Sequence, residues 1–278
     1  MKKTIIQTGA VVAAAVCLLL LMFFLVKTKR LQINRWVISR QDVVGADISE
    51  YQADVDMEKL KEQGISFIYI KATEGSGHVD SRFAQNWKSA EESGIPAGAY
   101  HFFSFDSPGG KQAENYISTV GELEGKLIPA VDVEYYGDKK SNPPDTGDVV
   151  RELSAFIDVL EKKYHVRPVI YCSRDIYEKY IEPYFGGYPR WIRSVYYPAA
   201  FEAGNKWTIW QYCDTGELEG YEGGERYIDL NVLNRGIRIE DLVIEADKTA
   251  IAYEQKEEDR ISISENKELL KEGRGNGL

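Results

Sequence analysis

Metal and thiol chemistry have little to work with in this chain. Its three histidines, His78, His101 and His165, are far apart, and no HExxH occurs, so a zinc amidase or endopeptidase is disfavoured. The three cysteines, Cys17, Cys172 and Cys213, form no CxxC and are too few for a disulfide framework. A Cys172–Cys213 bond stays open beside the favoured reading of two buried free thiols. A peptidase built on Cys172 would need a histidine base, yet every histidine precedes it at an unfamiliar spacing. G-x-S-x-G and the phosphate-binding P-loop are both missing. Basic charge is short as well: the net charge is −10, where a nucleic-acid partner would call for a basic patch. No internal repeat is visible. Neither a metal nor an organic cofactor is expected.

Apolar residues are concentrated at the N-terminus. Gly9 to Val26 is an unbroken apolar run of 18 residues, with Ile5 and Ile6 just before it. Roughly 20 such residues cross a bilayer core as a helix. A cleaved signal would show a small-residue site at its end, but the run finishes Phe23-Phe24-Leu25-Val26-Lys27. Cys17 follows Val16 inside the run, a poor lipoprotein site. The expectation is therefore a short flank (1–4), an uncleaved transmembrane anchor (5–26) and a basic stalk (27–41). A main domain (42–239) and an acidic, partly disordered tail (240–278) follow. That tail carries 11 acidic against 6 basic residues. Positive charge flanks both ends of the run, so charge alone does not orient it. Placing the main domain outside the cytoplasm, at the cell surface or in the periplasm, rests on function.

From Val43 onward short apolar runs alternate with amphipathic stretches. Strands are expected at Val43–Ser49, Phe67–Thr73, Ala97–Phe103, Leu127–Glu134, Pro168–Ser173, Arg190–Val195, Trp207–Tyr212 and Tyr227–Leu233. Helices are expected over Asp54–Gln63, Ser81–Ser93 (capped by Asp80), Pro108–Val120, Asp148–Tyr164 and Arg174–Tyr184. Five strand–helix units are followed by three strands too closely spaced for full crossover helices. The fold class is α/β: an irregular eight-stranded β/α barrel of β5α5β3 type, resembling a TIM barrel, after the N-terminal helix. An open doubly wound sheet would show a Gly-rich turn after its first strand, where this chain has Ala46-Asp47-Ile48-Ser49.

Active sites of such barrels lie at the C-terminal strand ends. Asp47, Glu74, Asp132, Glu134 and Asp229 fall at or near those positions. Within Pro129-Ala130-Val131-Asp132-Val133-Glu134, Asp132 and Glu134 are two apart and share a face, about 6–7 Å from each other along the strand. Neighbouring carboxylates push their pKa values apart, which keeps one protonated as a general acid, and glycosidic cleavage needs such a pair. The bland alternative is a turn-capping Asp132 and a solvated Glu134. Asp47 ends a buried strand, while Ser49 and Gln52 fit a helix cap. Lys71 and Glu74 fit either an ion pair or a subsite. His101 fits a hydrogen-bonded core histidine as well as a site residue. Tyr100, Tyr135, Tyr136, Tyr171, Trp191 and Tyr212 lie near strand ends, where aromatic faces can stack on sugars.

Six segments together resemble the family 25 glycoside hydrolases, the lysozyme or N-acetylmuramidase group. They are Asp47-Ile48-Ser49 with Gln52, Lys71-Ala72-Thr73-Glu74-Gly75, Gly98-Ala99-Tyr100-His101-Phe102, Pro129 to Glu134, Trp210-Gln211-Tyr212 and Ile228-Asp229-Leu230-Asn231. They occur in the family's order between about Val43 and Asn234. The resemblance implies a β5α5β3 barrel that hydrolyses the β-1,4 bond between N-acetylmuramic acid and N-acetylglucosamine. It implies Glu134 as general acid, Asp132 as the residue assisting through the substrate's N-acetyl group, and Asp47 and Asp229 as the remaining catalytic acids. Glu74, Tyr100, His101, Tyr136, Tyr171, Trp191, Gln211 and Tyr212 are the candidate substrate-binding residues. Arg193 departs from the pattern, standing where the family usually has a small residue. If it faces the groove, a muramic or peptide carboxylate would suit it. The implied partners are peptidoglycan glycan strands and, through the anchor, a membrane. The competing readings are a non-catalytic glycan-binding module, a structural membrane protein using the barrel as a platform, and a glycosidase acting on chitin-like polymers.

Overall fold

In the computed structural model of the chain, residues 2–203 and 206–245 are described, residues 2–11, 202 and 203 by backbone alone. The acidic tail beyond Glu245 lies outside the described residues. The first elements are α1 (Lys2–Lys27), β1 (Val44–Ile48), α2 (Met57–Glu62), β2 (Phe67–Glu74), β3 (His78–Val79), α3 (Phe83–Ser93) and β4 (Ala97–Phe102). Next come α4 (Gly109–Val120), β5 (Ala130–Val133), α5 (Thr146–Tyr164), β6 (Val169–Cys172), α6 (Arg174–Ile176) and α7 (Glu182–Phe185). The last are β7 (Arg190–Arg193), α8 (Ala200–Ala203), β8 (Ile209–Gly216) and β9 (Ile228–Leu233).

The strand order is β1-β9-β8-β7-β6-β5-β4-β2-β3, and an additional β1–β2 pairing closes eight of these strands into a barrel. The small β3 hangs from β2 as an antiparallel arm. Parallel pairs run round the barrel except at β9, which is antiparallel to both β1 and β8. That reversal follows from chain length: the connection from β8 to β9 holds no helix that could cross back over the barrel.

Local signals account for the elements. Asp56 caps α2 and Asp145 caps α5, each accepting backbone N–H bonds. Asp80 does something other than cap α3: its two carboxylate oxygens accept from Glu50 N (2.9 Å) and Arg82 N (2.9 Å), tying the β1 loop to the start of that helix. The expected helix Arg174–Tyr184 is split by a π-helical stretch, Tyr177–Ile181, between α6 and α7. Inside the barrel the floor is aromatic. Tyr69 packs 5.0 Å from Trp191, and Trp191 packs 5.1 Å from Tyr171. Two glycines make room for it: a Cβ on Gly45 would lie 2.4 Å from the Phe67 ring, and one on Gly98 2.4 Å from the Tyr69 ring.

Two expected boundaries shift. Leu127 and Val243 form a bridge, and Ile128 N donates to Leu242 O, so packing continues past residue 239 onto the foot of the barrel. The segment expected as a free basic stalk is docked. Lys29 pairs with Asp214 (2.6 Å), Gln32 donates to Thr215 Oγ1, and Arg35 reaches Cys213 Sγ. Fully buried Asn34 donates to Ser194 O (2.8 Å) and Tyr212 O (3.0 Å). As for the anchor expected over 5–26, α1 covers the apolar run, but among the described residues no helix is long and apolar enough to cross a membrane.

Removing the Asn34 amide takes this donor from Tyr212 O and leaves Ser194 O with the Trp210 indole. Asn34→Ala should therefore lower unfolding stability by about 1–3 kcal/mol in denaturant titrations. Unchanged stability would show that this segment does not hold to β7 and β8.

Candidate active site

The barrel mouth opens into a cavity of about 390 Å3. Asp47, Asp132, Glu134 and Asp229 all line it, together with Tyr100, Tyr171, Trp191 and Gln211. β1, β5, β6 and β7 deliver their residues by their C-terminal ends. Asp229 arrives differently: it is the second residue of β9, and the reversed direction of that strand brings its N-terminal end to the mouth. The register then sets Asp229 directly opposite Asp47.

Two amides organise these acids. The Trp191 indole can only donate, and it donates to Asn231 Oδ1 (2.8 Å). The Asn231 NH2 must then face Asp47, where it donates to Oδ1 (2.7 Å). Tyr171 OH likewise donates to Gln211 Oε1 (3.0 Å), which turns the Gln211 NH2 toward Asp47 Oδ1 (3.2 Å) and Asp229 Oδ2 (3.1 Å). The two amide orientations follow from this network.

Burial raises all four acids, by unequal amounts. Asp47 rises to only about 6, because the Asn231 and Gln211 amides and the Arg193 charge oppose the cost of burial. Asp229 rises to about 9, since burial is reinforced by the charges of Asp47 and Asp214. Asp132 is pushed well above the carboxylate range by burial, then by Glu134 and Asp47, with Lys71 opposing. Its Oδ1 is buried without a hydrogen-bond partner. Glu134, half-buried just past β5, is raised by burial and by Asp47 and Asp175, while Arg193 opposes. Asp47 therefore ionises ahead of Asp229 and is the better placed of that facing pair to carry negative charge near neutral pH.

Four residues expected at the site lie elsewhere. His101 is fully buried outside the barrel wall, stacked 4.7 Å from Phe156. The Gln112 side-chain NH2 donates to Ser104 O and Ser107 O, so its Oε1 must accept from His101 Nε2 (3.0 Å). His101 Nδ1 then accepts from Thr73 Oγ1 (2.7 Å), and burial lowers the imidazole pKa to about 4, leaving it neutral. A bulge between Lys71 and Thr73 makes this possible, turning Lys71 into the cavity and Thr73 out of it. Glu74 pairs with Lys71 (2.7 Å) but does not line the cavity. Tyr136 donates to Asp106 (2.8 Å) and stacks on Phe105. Tyr212 packs against Trp210 on the far side of β8 from Gln211.

Conversely, Tyr51, Phe102, Asp214, Glu225 and Tyr227 line the cavity without having been singled out. Asp214 was hidden by a second bulge, after Gln211 in β8, which breaks the two-residue alternation and turns it inward. Phe102 was quoted within a motif but carries no chemical signal. Tyr51 comes from a single 3-10 turn (Glu50–Gln52), Glu225 from a loop, and Tyr227 from the residue just before β9, where a strand was expected to begin. Among the described residues no group of three or more His, Cys, Asp or Glu is placed to hold a metal ion.

The Asp229 carboxyl lies at about 9 in the fold against an ordinary 3.8. The unfolded chain ionises it above about pH 4 while the fold keeps it protonated, so it costs stability increasingly as pH rises toward 9. Asp229→Asn should melt higher than the wild type at pH 8, with the difference closing near pH 4, while activity falls. A lower melting temperature at pH 8 would refute that balance.

The model of Glycosyl hydrolases family 25 matches residues 46–221. The chain is 32% identical over 195 residues to the uncharacterized protein YegX of Escherichia coli (strain K12), covering 68% of this chain and 69% of that protein. It is 29% identical over 205 residues to lysozyme M1 of Streptomyces globisporus, covering 69% and 68%. A family 25 glycosyl hydrolase structure from Bacillus anthracis superposes with a TM-score of 0.66 at 44% identity, covering 70% of this chain and 90% of that one. With the closed barrel and its four acids at one mouth, these matches make the chain a member of glycosyl hydrolases family 25.

Proposed function

We propose that the chain is a muramidase that hydrolyses the β-1,4 bond between N-acetylmuramic acid and N-acetylglucosamine in peptidoglycan. The observation that carries this is the convergence of Glu134, Asp132, Asp47 and Asp229 on one open cavity; the likeness to a lysozyme supports it. Glu134 is the general acid. Burial and the charges of Asp47 and Asp175 keep its proton on, and it delivers that proton to the glycosidic oxygen as the bond to the anomeric carbon breaks. Positive charge then grows on the sugar ring. Asp47, held ionised by two amides, faces that charge with a fixed negative one. Asp132 Oδ1, buried and unpartnered, accepts the N–H of the substrate's N-acetyl group and orients it. Water supplies hydroxide to the anomeric carbon, and its remaining proton returns to the carboxyl set. Tyr100, Tyr171 and Trp191 give the sugar rings apolar faces.

The enzyme works outside the cytoplasm, held to the membrane by the apolar run Gly9–Val26. What supports this is the length of that run, its flanking lysines and the exposure of Leu18 to Leu21 on α1. Membrane fractionation tests it: the full chain should stay with the bilayer through a high-salt wash, whereas release by salt alone would contradict the anchor.

The catalytic reading predicts that Glu134→Gln loses at least about 100-fold in reducing-sugar release from purified peptidoglycan while its melting temperature is kept. Equal activity in the two proteins would show that another acid supplies the proton. A folded wild type with no activity would favour a glycan-binding module.

A further inference from the structure

The strands that line the catalytic cavity continue into a second groove. Two residues beyond Tyr171, β6 leads to Ser173, and two beyond Trp191, β7 gives Arg193; both line the wall of a separate cavity of about 380 Å3. Lys140, Arg174, Tyr196 and Tyr197 complete the part of that wall used here. Of its negative groups, Glu178 pairs with Arg174 (2.7 Å), while Asp175 accepts from Ser173 Oγ (2.5 Å) and keeps its charge.

Its positive groups are in excess. A single oxygen, Asp214 Oδ2, accepts from both Lys29 Nζ (2.6 Å) and Arg193 Nη2 (2.8 Å). One negative charge between two positive ones leaves this trio at +1. Lys29 partly neutralises Asp214, and Arg193 keeps most of its own charge. Arg193 is one-third exposed and uses one of its five N–H donors in that bond, so a planar donor fork remains. Exposed Lys140 has no acidic partner among the described residues and lies on the same groove. A fork fixed by one carboxylate, with a second cation beside it, is suited to a planar carboxylate brought by a ligand.

We propose that this groove is a subsite for a carboxylate on the muramyl substituent of the substrate, with Arg193 taking it bidentately and Lys140 adding charge. The inference rests on the muramidase reading. It makes Arg193 and Lys140 specificity-determining residues that separate peptidoglycan from chitin-like glycans, whose sugars carry no carboxylate. Two carboxylates fit this chemistry: one on the stem peptide, and the lactyl carboxylate left when the peptide is removed.

The experiment compares kcat/KM of the full chain, Arg193→Met and Lys140→Met on three glycans. These are peptide-bearing strands, the same strands with their peptide carboxylates amidated, and strands stripped to the free lactyl acid. Wild type should prefer an acid-bearing strand over the amidated one. Arg193→Met should raise KM about 10- to 100-fold on the acid-bearing strand and change KM little on the amidated one, while the charge it withdraws from Asp47 and Glu134 alters kcat alike on both strands. Lys140→Met, at an exposed position that does not risk the fold, should show a smaller loss of the same selectivity. Loss confined to peptide-bearing strands assigns the stem carboxylate, and loss on stripped strands assigns the lactyl one. Equal KM increases on acid-bearing and amidated strands, or no KM change in either variant, would overturn the subsite while leaving the muramidase intact. No turnover of any strand by the wild type would overturn the muramidase reading and the subsite together.

Discussion

Four carboxyl groups share one buried mouth, and only two side-chain amides are positioned to compensate them. That shortage of donors shapes the rest of the site. A buried carboxylate is costly unless it is hydrogen-bonded, so both amides are spent where ionisation is useful. Asn231 and Gln211 both reach Asp47, and Gln211 alone reaches Asp229. The outcome is a graded pair, with Asp47 easier to ionise than Asp229. Neither amide could hold its orientation alone. The Trp191 indole and the Tyr171 hydroxyl donate to the amide oxygens, so the aromatic floor that fills the barrel also sets the electrostatics above it.

The reversed β9 is the architectural counterpart of this constraint. Had that strand run parallel to its neighbours, Asp229 near its start would lie at the opposite end of the barrel from Asp47. Reversal keeps both acids at one mouth and also brings Asn231 beside Gly45, within reach of Asp47. A second consequence lies at β7 and β8. The chain before the barrel docks there through Asn34 and Lys29, and Lys29 shares Asp214 with Arg193. The link between α1 and the barrel is therefore packed into the wall beside the site.

Much of this was legible in the sequence. Short apolar runs located the strands, and the narrow spacing of the last three announced a barrel without full helices there. Asp132-x-Glu134 on a strand end placed both carboxyls at one mouth from pleat geometry, and the family resemblance supplied their roles. The misses have two causes. Alternation already excluded His101 and Tyr212, since Tyr100 and Gln211 beside them face the cavity. The bulge after Gln211 shifts the alternation by one, which hid Asp214. Such irregularities depend on pairing with neighbouring strands and leave no local signature. Asp229 was picked out by its motif, but the direction of its strand was not readable. The docking of residues 29–35 was also invisible, because Lys29 and Asp214 lie 185 residues apart in sequence. Tyr51 reaches the site from a short 3-10 turn and Glu225 from a loop, where periodicity offers nothing.

The central claim is that this mouth raises Glu134 above the ordinary glutamate range and lets Asp47 ionise ahead of Asp229. The most direct measurement is a carbon-13 NMR titration of side-chain carboxyls, with Glu134 and Asp47 assigned by comparison with Glu134→Gln and Asp47→Asn. The account predicts that Glu134 titrates above the ordinary glutamate range and that Asp47 ionises near 6, ahead of Asp229. A Glu134 that loses its proton at or below the ordinary glutamate value, or an Asp229 that ionises before Asp47, would contradict it.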